Sequence, residues 1–217
     1  LDPDVERILS LKPDLVIVYA TQIDLRAQLA RAGVAIFDYK HGGLADVLSA
    51  IRALGARVGH PEEADRVATA VEGRIESVRR RVAGRPRPRT LLVMGRDPFT
   101  LRAIYASGGV GFLHEMLEAA GGTNVFADIH REAVQATSEL VLARAPEVIL
   151  ELRGEFPSIS QADLERDRKT WWVLPSVPAV RADRVYNLSG APFVVPGPRV
   201  AEAVEAIART LHPEALR

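Results

Sequence analysis

The sequence has no cysteine at all. That removes disulfides, thiolate metal sites, thiol nucleophiles and any lipid-bearing cysteine within these residues, and it is compatible with an oxidising compartment. Apolar runs are strand-sized, far short of the ~20 residues that a membrane-spanning helix needs. No charge of one sign prevails: 28 basic residues balance 28 acidic ones, so no global field draws nucleic acid or an anionic membrane. The five histidines (His41, His60, His114, His130 and His212) show no paired metal spacing, and neither HExxH nor GxSxG occurs. Catalytic constellations are therefore missing, no cofactor is implied, and binding without chemistry is the expectation. The chain opens Leu-Asp-Pro, with neither Met nor a signal peptide, so its natural N-terminus is expected to have been removed.

The residues present form an ordinary globule, 47% apolar and 26% charged, long enough at 217 residues for one large or two small domains. One stretch occurs twice. Glu6-Arg-Ile-Leu-Ser-Leu-Lys-Pro-Asp-Leu-Val-Ile17 aligns without a gap on Glu139-Leu-Val-Leu-Ala-Arg-Ala-Pro-Glu-Val-Ile-Leu150, at an offset of 133 residues for both the Glu and the Pro. Each copy reads as a short helix with an early acidic residue, stopped before Pro and followed by a buried strand. The early carboxylates fit helix-dipole complementarity. Two copies argue for two similar α/β lobes.

In chain order, helix is expected over 3–12 with Asp2 as cap, strand over 14–19, helix over 22–32 closed by Gly33, strand over 34–39 and helix over 43–58. Two strands alone make a small lobe, which reads as incomplete. The longest helix, 61–83, starts on Pro61, carries Glu62 and Glu63 early and Arg79, Arg80 and Arg81 late, and spans roughly 35 Å. Arg85-Pro-Arg-Pro-Arg89 reads as a linker. The expected division is residues 1–60, a bridging helix at 61–84, and a second lobe at 85–217. In that lobe strands are expected over 90–95, near 103–105, over 147–152 and over 184–188, with helices over 112–120, 161–170 and 198–211. The loop Ser107-Gly-Gly-Val-Gly111 enters a helix, but it lacks the Lys-Ser/Thr of a P-loop and the third Gly of a dinucleotide fingerprint.

Ligands of open parallel α/β sheets gather beyond the carboxyl ends of the strands. Those ends carry Tyr19, Tyr39 with Lys40 and His41, Arg96 with Phe99, Arg153, and the loop to Phe193. Aromatics and arginines there suit a bulky, partly apolar ligand bearing carboxylate, amide or phosphate groups. Of the adjacent Trp171 and Trp172 only one can face a pocket squarely, and Trp172 is taken as that one.

Several segments together resemble the class III substrate-binding proteins of ABC importers, the group that binds cobalamin, ferric siderophores and haem. They are Val5 to Ile17, the glycine-containing stretch from Ser107 to Gly122 with Asn124, Ser138 to Pro146, and Trp172 through Val177-Pro-Ala-Val-Arg-Ala-Asp-Arg-Val-Tyr186. The resemblance implies a fold of two Rossmann-like α/β lobes with parallel sheets, joined by one long rigid helix, with a metal chelate held between them. It implies that Glu6 and Glu139, one on each lobe, dock on arginines of the two permease subunits. It further implies a monomeric protein that is periplasmic, or extracellular and membrane-anchored, and that binds no nucleic acid. By position, Tyr19 resembles an aromatic that cobalamin binders set against the corrin, and Phe99 and Phe193 resemble other cleft residues. Family members begin with a further strand-helix-strand segment, and a cobalamin binder has Trp where this chain has Ala133; the second departure weighs against cobalamin and leaves an anionic ferric chelate open. The competing reading is a cytoplasmic α/β nucleotide-binding module or enzyme.

Overall fold

A computed structural model of the chain describes residues 3–40, 42–154 and 160–216. The first layer is α1 (Val5–Ser10), β1 (Val16–Tyr19), α2 (Ile23–Arg31) and β2 (Ile36–Tyr39), with β1 and β2 paired in parallel. Val18, Leu25 and Leu29 form its buried cluster. Helix α1 starts later than the sequence suggests because Asp4 is the cap, its carboxylate accepting from the Arg7 amide at 3.0 Å; Asp2 lies outside the described residues. Gly33 ends α2 at φ 73°, a conformation glycine reaches without a Cβ clash.

Two long helices follow, α3 (Leu44–Arg57) and α4 (Pro61–Val82). They approach closely where a Cβ added at Gly55 would overlap the Ala64 methyl. Along α4, Ala64, Ala68, Val71, Ile75, Val78 and Val82 are buried, whereas Val67 is 42% exposed. One face of α4 packs inward against its neighbours, and the bidentate Arg74–Glu205 pair (2.8 and 3.0 Å) fastens it to the last helix of the chain.

The second lobe contains β3 (Arg89–Gly95), β4 (Ile104–Ser107), α5 (Phe112–Ala119), β5 (Thr123–Asn124), β6 (Ala133–Ala136), α6 (Ser138–Arg144), β7 (Val148–Arg153), α7 (Gln161–Arg168), α8 (Pro178–Arg181), β8 (Val185–Ser189) and α9 (Val200–Leu211). Its sheet runs β6-β4-β3-β7-β8, with β5 beside the start of β3. The centre is parallel as expected, β3 with β7 and β7 with β8. Strand β4 runs against both its neighbours, β3 and β6, because the short loop from β3 to β4 permits a hairpin and leaves no length for a crossover. The two faces of this sheet have separate apolar clusters, one with Leu91, Val93, Ile149 and Trp171. The other joins Leu92, Leu150 and Leu152 to α4, α5 and α9, and it also takes in Leu44, Val47 and Leu48 of α3. Thus α3 shares its core with the second lobe rather than with the α1/α2 cluster.

The repeated stretch is repeated in detail. Asp4 and Thr137 cap α1 and α6, each accepting from the amide three residues on. Lys12 (φ 48°) and Ala145 (φ 44°) both adopt the left-handed conformation directly before a proline. All of these keep the same offset, so the likeness extends from residue type to backbone. Glu6 and Glu139 each occupy the second position of their helix, and both are exposed.

Candidate ligand-binding site

At the carboxyl ends of β3 and β7 there is a recess of about 340 Å³. The strand ends contribute Met94 and Leu152, the entry to α5 contributes Val110, Gly111, Phe112 and Leu113, the chain before and at the start of β6 contributes Glu132 and Ala133, and Val194 completes the lining. This is where the open-sheet rule places a ligand. Its volume is at the lower end of the ~300–1,000 Å³ typical of small-molecule sites, enough to grip one edge of a large chelate. Two grooves of about 600 and 630 Å³ lie elsewhere, along the edge of β8 and at the opposite pole beside Pro86, Arg184 and His212.

The glycine loop of this recess is built for close packing. A Cβ at Gly108 would overlap the Arg131 carbonyl, and one at Gly109 the Ala127 carbonyl. The amides of both glycines are already used, Gly108 to the Glu132 carbonyl (3.0 Å) and Gly109 to that of Ile129 (2.8 Å). Buried Asn124 clamps the loop from beneath, its Nδ2 donating to the carbonyls of Ser107 (3.2 Å) and Gly108 (2.8 Å) and its Oδ1 accepting from the Phe126 amide. Those two amides are not available to a phosphate, which argues against the nucleotide reading.

Above the small sheet, Tyr19 and Tyr39 meet edge to face, with ring centroids 5.6 Å apart and planes at 67°. They end the paired strands in register, which is why two residues 20 positions apart touch. Tyr19 is 47% exposed. The Tyr39 hydroxyl donates to the Pro196 carbonyl at 3.2 Å, across to the second lobe. Burial, with Tyr19 and Asp46 nearby, pushes its pKa up and keeps it a donor. His41 lies outside the described residues.

On the second lobe the expected residues separate into two groups. Phe99 and Trp172 are exposed, at 45% and 38%, and each ring is covered by a guanidinium, Arg166 at 4.4 Å from the Phe99 centroid and Arg168 at 4.9 Å from that of Trp172. Phe99 has φ 57°, a strained backbone for a bulky residue, and its amide donates to Asp167 Oδ1. Arg153 is partly exposed; it binds Glu151 and Asp167, while its Nε is buried with no partner among the described residues. Arg96 and Phe193 lie inside instead. The Arg96 side chain is 2% exposed, its guanidinium held by Glu151, Asp167 and the Thr100 carbonyl. It therefore stabilises the loop that carries Phe99 rather than presenting a cation to solvent. Phe193 is 7% exposed within the cluster shared with α9, because the short 3₁₀ turn Ala191–Phe193 directs it inward.

Among the described residues no group of three or more His, Asp or Glu could hold a metal ion, and no helix is long and apolar enough to cross a membrane. Sequence reasoning missed the lining residues Val110, Gly111, Phe112, Glu132 and Val194. Their signal was the loop position after a strand or before a helix.

Comparison with known proteins agrees with this fold. A vitamin B12-binding protein of Yersinia pestis is 32% identical over 149 residues, 68% of this chain and 51% of that protein, so the chain spans about half the length of the curated relatives it matches. An ABC transporter substrate-binding protein of Listeria monocytogenes superposes with a TM-score of 0.83 at 25% identity, covering 98% of this chain and 81% of that one. The periplasmic haem-binding protein of Roseiflexus in its apo form gives 0.78 at 25% identity, over 97% and 80%. With the periplasmic binding protein family model matching residues 1–192, the chain belongs to the periplasmic binding protein family.

Proposed function

We propose that this chain captures a metal chelate, a corrinoid, haem or ferric siderophore, between its lobes and delivers it to an ABC importer. The observation that carries the reading is the recess at the ends of β3 and β7, in a chain whose family relatives bind vitamin B12 and haem. The recess supplies an apolar seat of a size that grips one edge of a planar or compact chelate. Tyr19, Tyr39, Phe99 and Trp172 supply aromatic surface, and Arg153, whose side chain is partly exposed, supplies a cationic donor for a carboxylate or hydroxamate oxygen. Arg96 and Phe193 support this rim from inside. The metal is cargo, bound within its chelate.

Delivery is proposed to use Glu6 and Glu139, whose matched positions on two helices suit a partner with two equivalent permease subunits. Exposed ion pairs of this kind set orientation and encounter rate more than affinity. The working division is residues 1–60, the bridging helix at 61–84 and residues 85–217, in a monomer that acts in the periplasm or tethered outside the cell. A cytoplasmic nucleotide-binding module or enzyme is not favoured, given the occupied amides of the glycine loop.

The test is a titration of the intrinsic tryptophan fluorescence with haem, cobalamin and a ferric hydroxamate in turn. Saturable quenching by one of the three, reduced in Trp172→Phe, is expected. No response to any of them would sink the reading.

A further inference from the structure

Helix α3 has an unusual start. Its first amide, that of Leu44, donates to Oε2 of Glu115 at 2.6 Å, and Glu115 belongs to α5, 71 residues further along the chain. A carboxylate suits this place, because the first amides of a helix lack partners and the dipole there is positive. The preceding amide, Gly43, is satisfied separately by Asp46 Oδ2 at 2.8 Å. Gly43 itself has φ −85° and ψ −173°, extended backbone open to any residue. Its lack of a Cβ leaves space that the Glu115 carboxylate occupies: a Cβ there would overlap both carboxylate oxygens and displace them.

This contact sits at a junction. The chain passes from the small sheet into the rest of the molecule between Tyr39 and Leu44, and the small layer has its own apolar cluster, separate from the one that includes α3. Two hydrogen bonds anchor the ends of this passage, Tyr39 donating to the Pro196 carbonyl and Leu44, at the start of α3, donating to Glu115. On its other side, Glu115 lies one turn along α5 from Gly111 and Phe112, which line the recess. A group seated in the recess would therefore press on the same helix turn that caps α3.

We infer that Glu115 is a positioning residue: by capping α3 in trans through the gap left at Gly43, it sets the orientation of the small lobe relative to the recess. Its bearing on capture rests on the proposed function, but the orientation itself does not.

The cysteine-free chain makes the measurement clean. Spin labels on Arg31→Cys in α2 and Ala162→Cys in α7, both exposed sites, report the lobe-to-lobe distance by pulsed dipolar spectroscopy. The parent is expected to give one narrow distribution. Glu115→Ala shifts or broadens it, and Gly43→Ala, which displaces the same carboxylate without touching it chemically, does the same. Glu115→Gln keeps an acceptor oxygen and retains the parent distribution, whereas Glu115→Met, of similar length but with no acceptor, behaves as Glu115→Ala, a split that a merely space-filling role would not predict. Distributions that superimpose on the parent in both Glu115→Ala and Gly43→Ala, with helical circular dichroism intact, overturn the inference. Failure of the parent to bind any chelate overturns the capture reading alone and leaves the distance result standing.

Discussion

Arg96 and Asp167 form a two-point ion pair beneath the surface, Nη1 to Oδ1 at 3.0 Å and Nη2 to Oδ2 at 2.9 Å, with side chains only 2% and 4% exposed. Glu151 completes the charge balance, accepting from Arg96 and from the Trp171 indole at 2.9 Å, and Arg153 closes the group on its outer side. One cation and two anions are thus buried together with the partly exposed Arg153 beside them, and the amide of Phe99 is fixed by the same Asp167. Buried groups of this kind add little over an apolar core but are costly to break.

Asp167→Asn should therefore cost about 3–5 kcal/mol, because it leaves two guanidinium groups facing one carboxylate in a dry site. Urea denaturation measures it, and a loss under about 1 kcal/mol, the scale of exposed pairs, would contradict the burial argument.

The same residue fixes an acid dependence. Burial raises the Asp167 carboxyl, but the Phe99 amide, Arg96 and Arg153 outweigh it and hold it below its ordinary value. With its folded pKa below the ~3.9 of an unfolded aspartate, its contribution is complete above that pH and is lost as the pH falls through the folded value. The urea midpoint of the parent should fall more steeply below about pH 4 than that of Asp167→Asn; parallel acid limbs would refute the assignment.

Gly55→Ala separates helix propensity from packing. In an isolated helix the change gains about 1 kcal/mol. Here the new methyl would overlap that of Ala64 where α3 crosses α4, so a net loss of about 1–3 kcal/mol is expected. A rise in thermal midpoint would mean that the two helices part easily.

Ala133 lines the recess with a side chain that leaves room beside it. Ala133→Trp should add a stacking surface worth about 0.5–1.5 kcal/mol, strengthening cobalamin binding by up to roughly tenfold. Equilibrium dialysis against cobalamin decides this, and weaker binding would mean that the added ring fills the seat.

What the sequence made legible was local chemistry. Prolines that stop helices and aliphatic runs of strand length act within a few residues, and the repeat made each copy a check on the other. The start of α1 was misplaced because Pro3 suits a first helical position, yet the Asp4 carboxylate is the one that reaches the Arg7 amide. Strands β5 and β6 and helix α8 went unread: Thr123–Asn124 is two residues long, Ala133–Ala136 is a weakly apolar edge strand, and Pro178–Arg181 is a single turn. At the site, Tyr19 and Tyr39 were placed by strand ends alone. Arg96 was not, since its direction depends on Glu151 and Asp167, 55 and 71 residues away. Such partners leave no periodic trace, and neither does the Glu115 cap on α3.

Capture and delivery are proposed to use separate surfaces of the chain, and one measurement tells them apart. In a transporter reconstituted with its cognate importer, the Glu6→Ala, Glu139→Ala double variant should bind the chelate with parental affinity yet no longer stimulate ATP hydrolysis or uptake. Stimulation at the parental level, or loss of chelate affinity in the double variant, would contradict it.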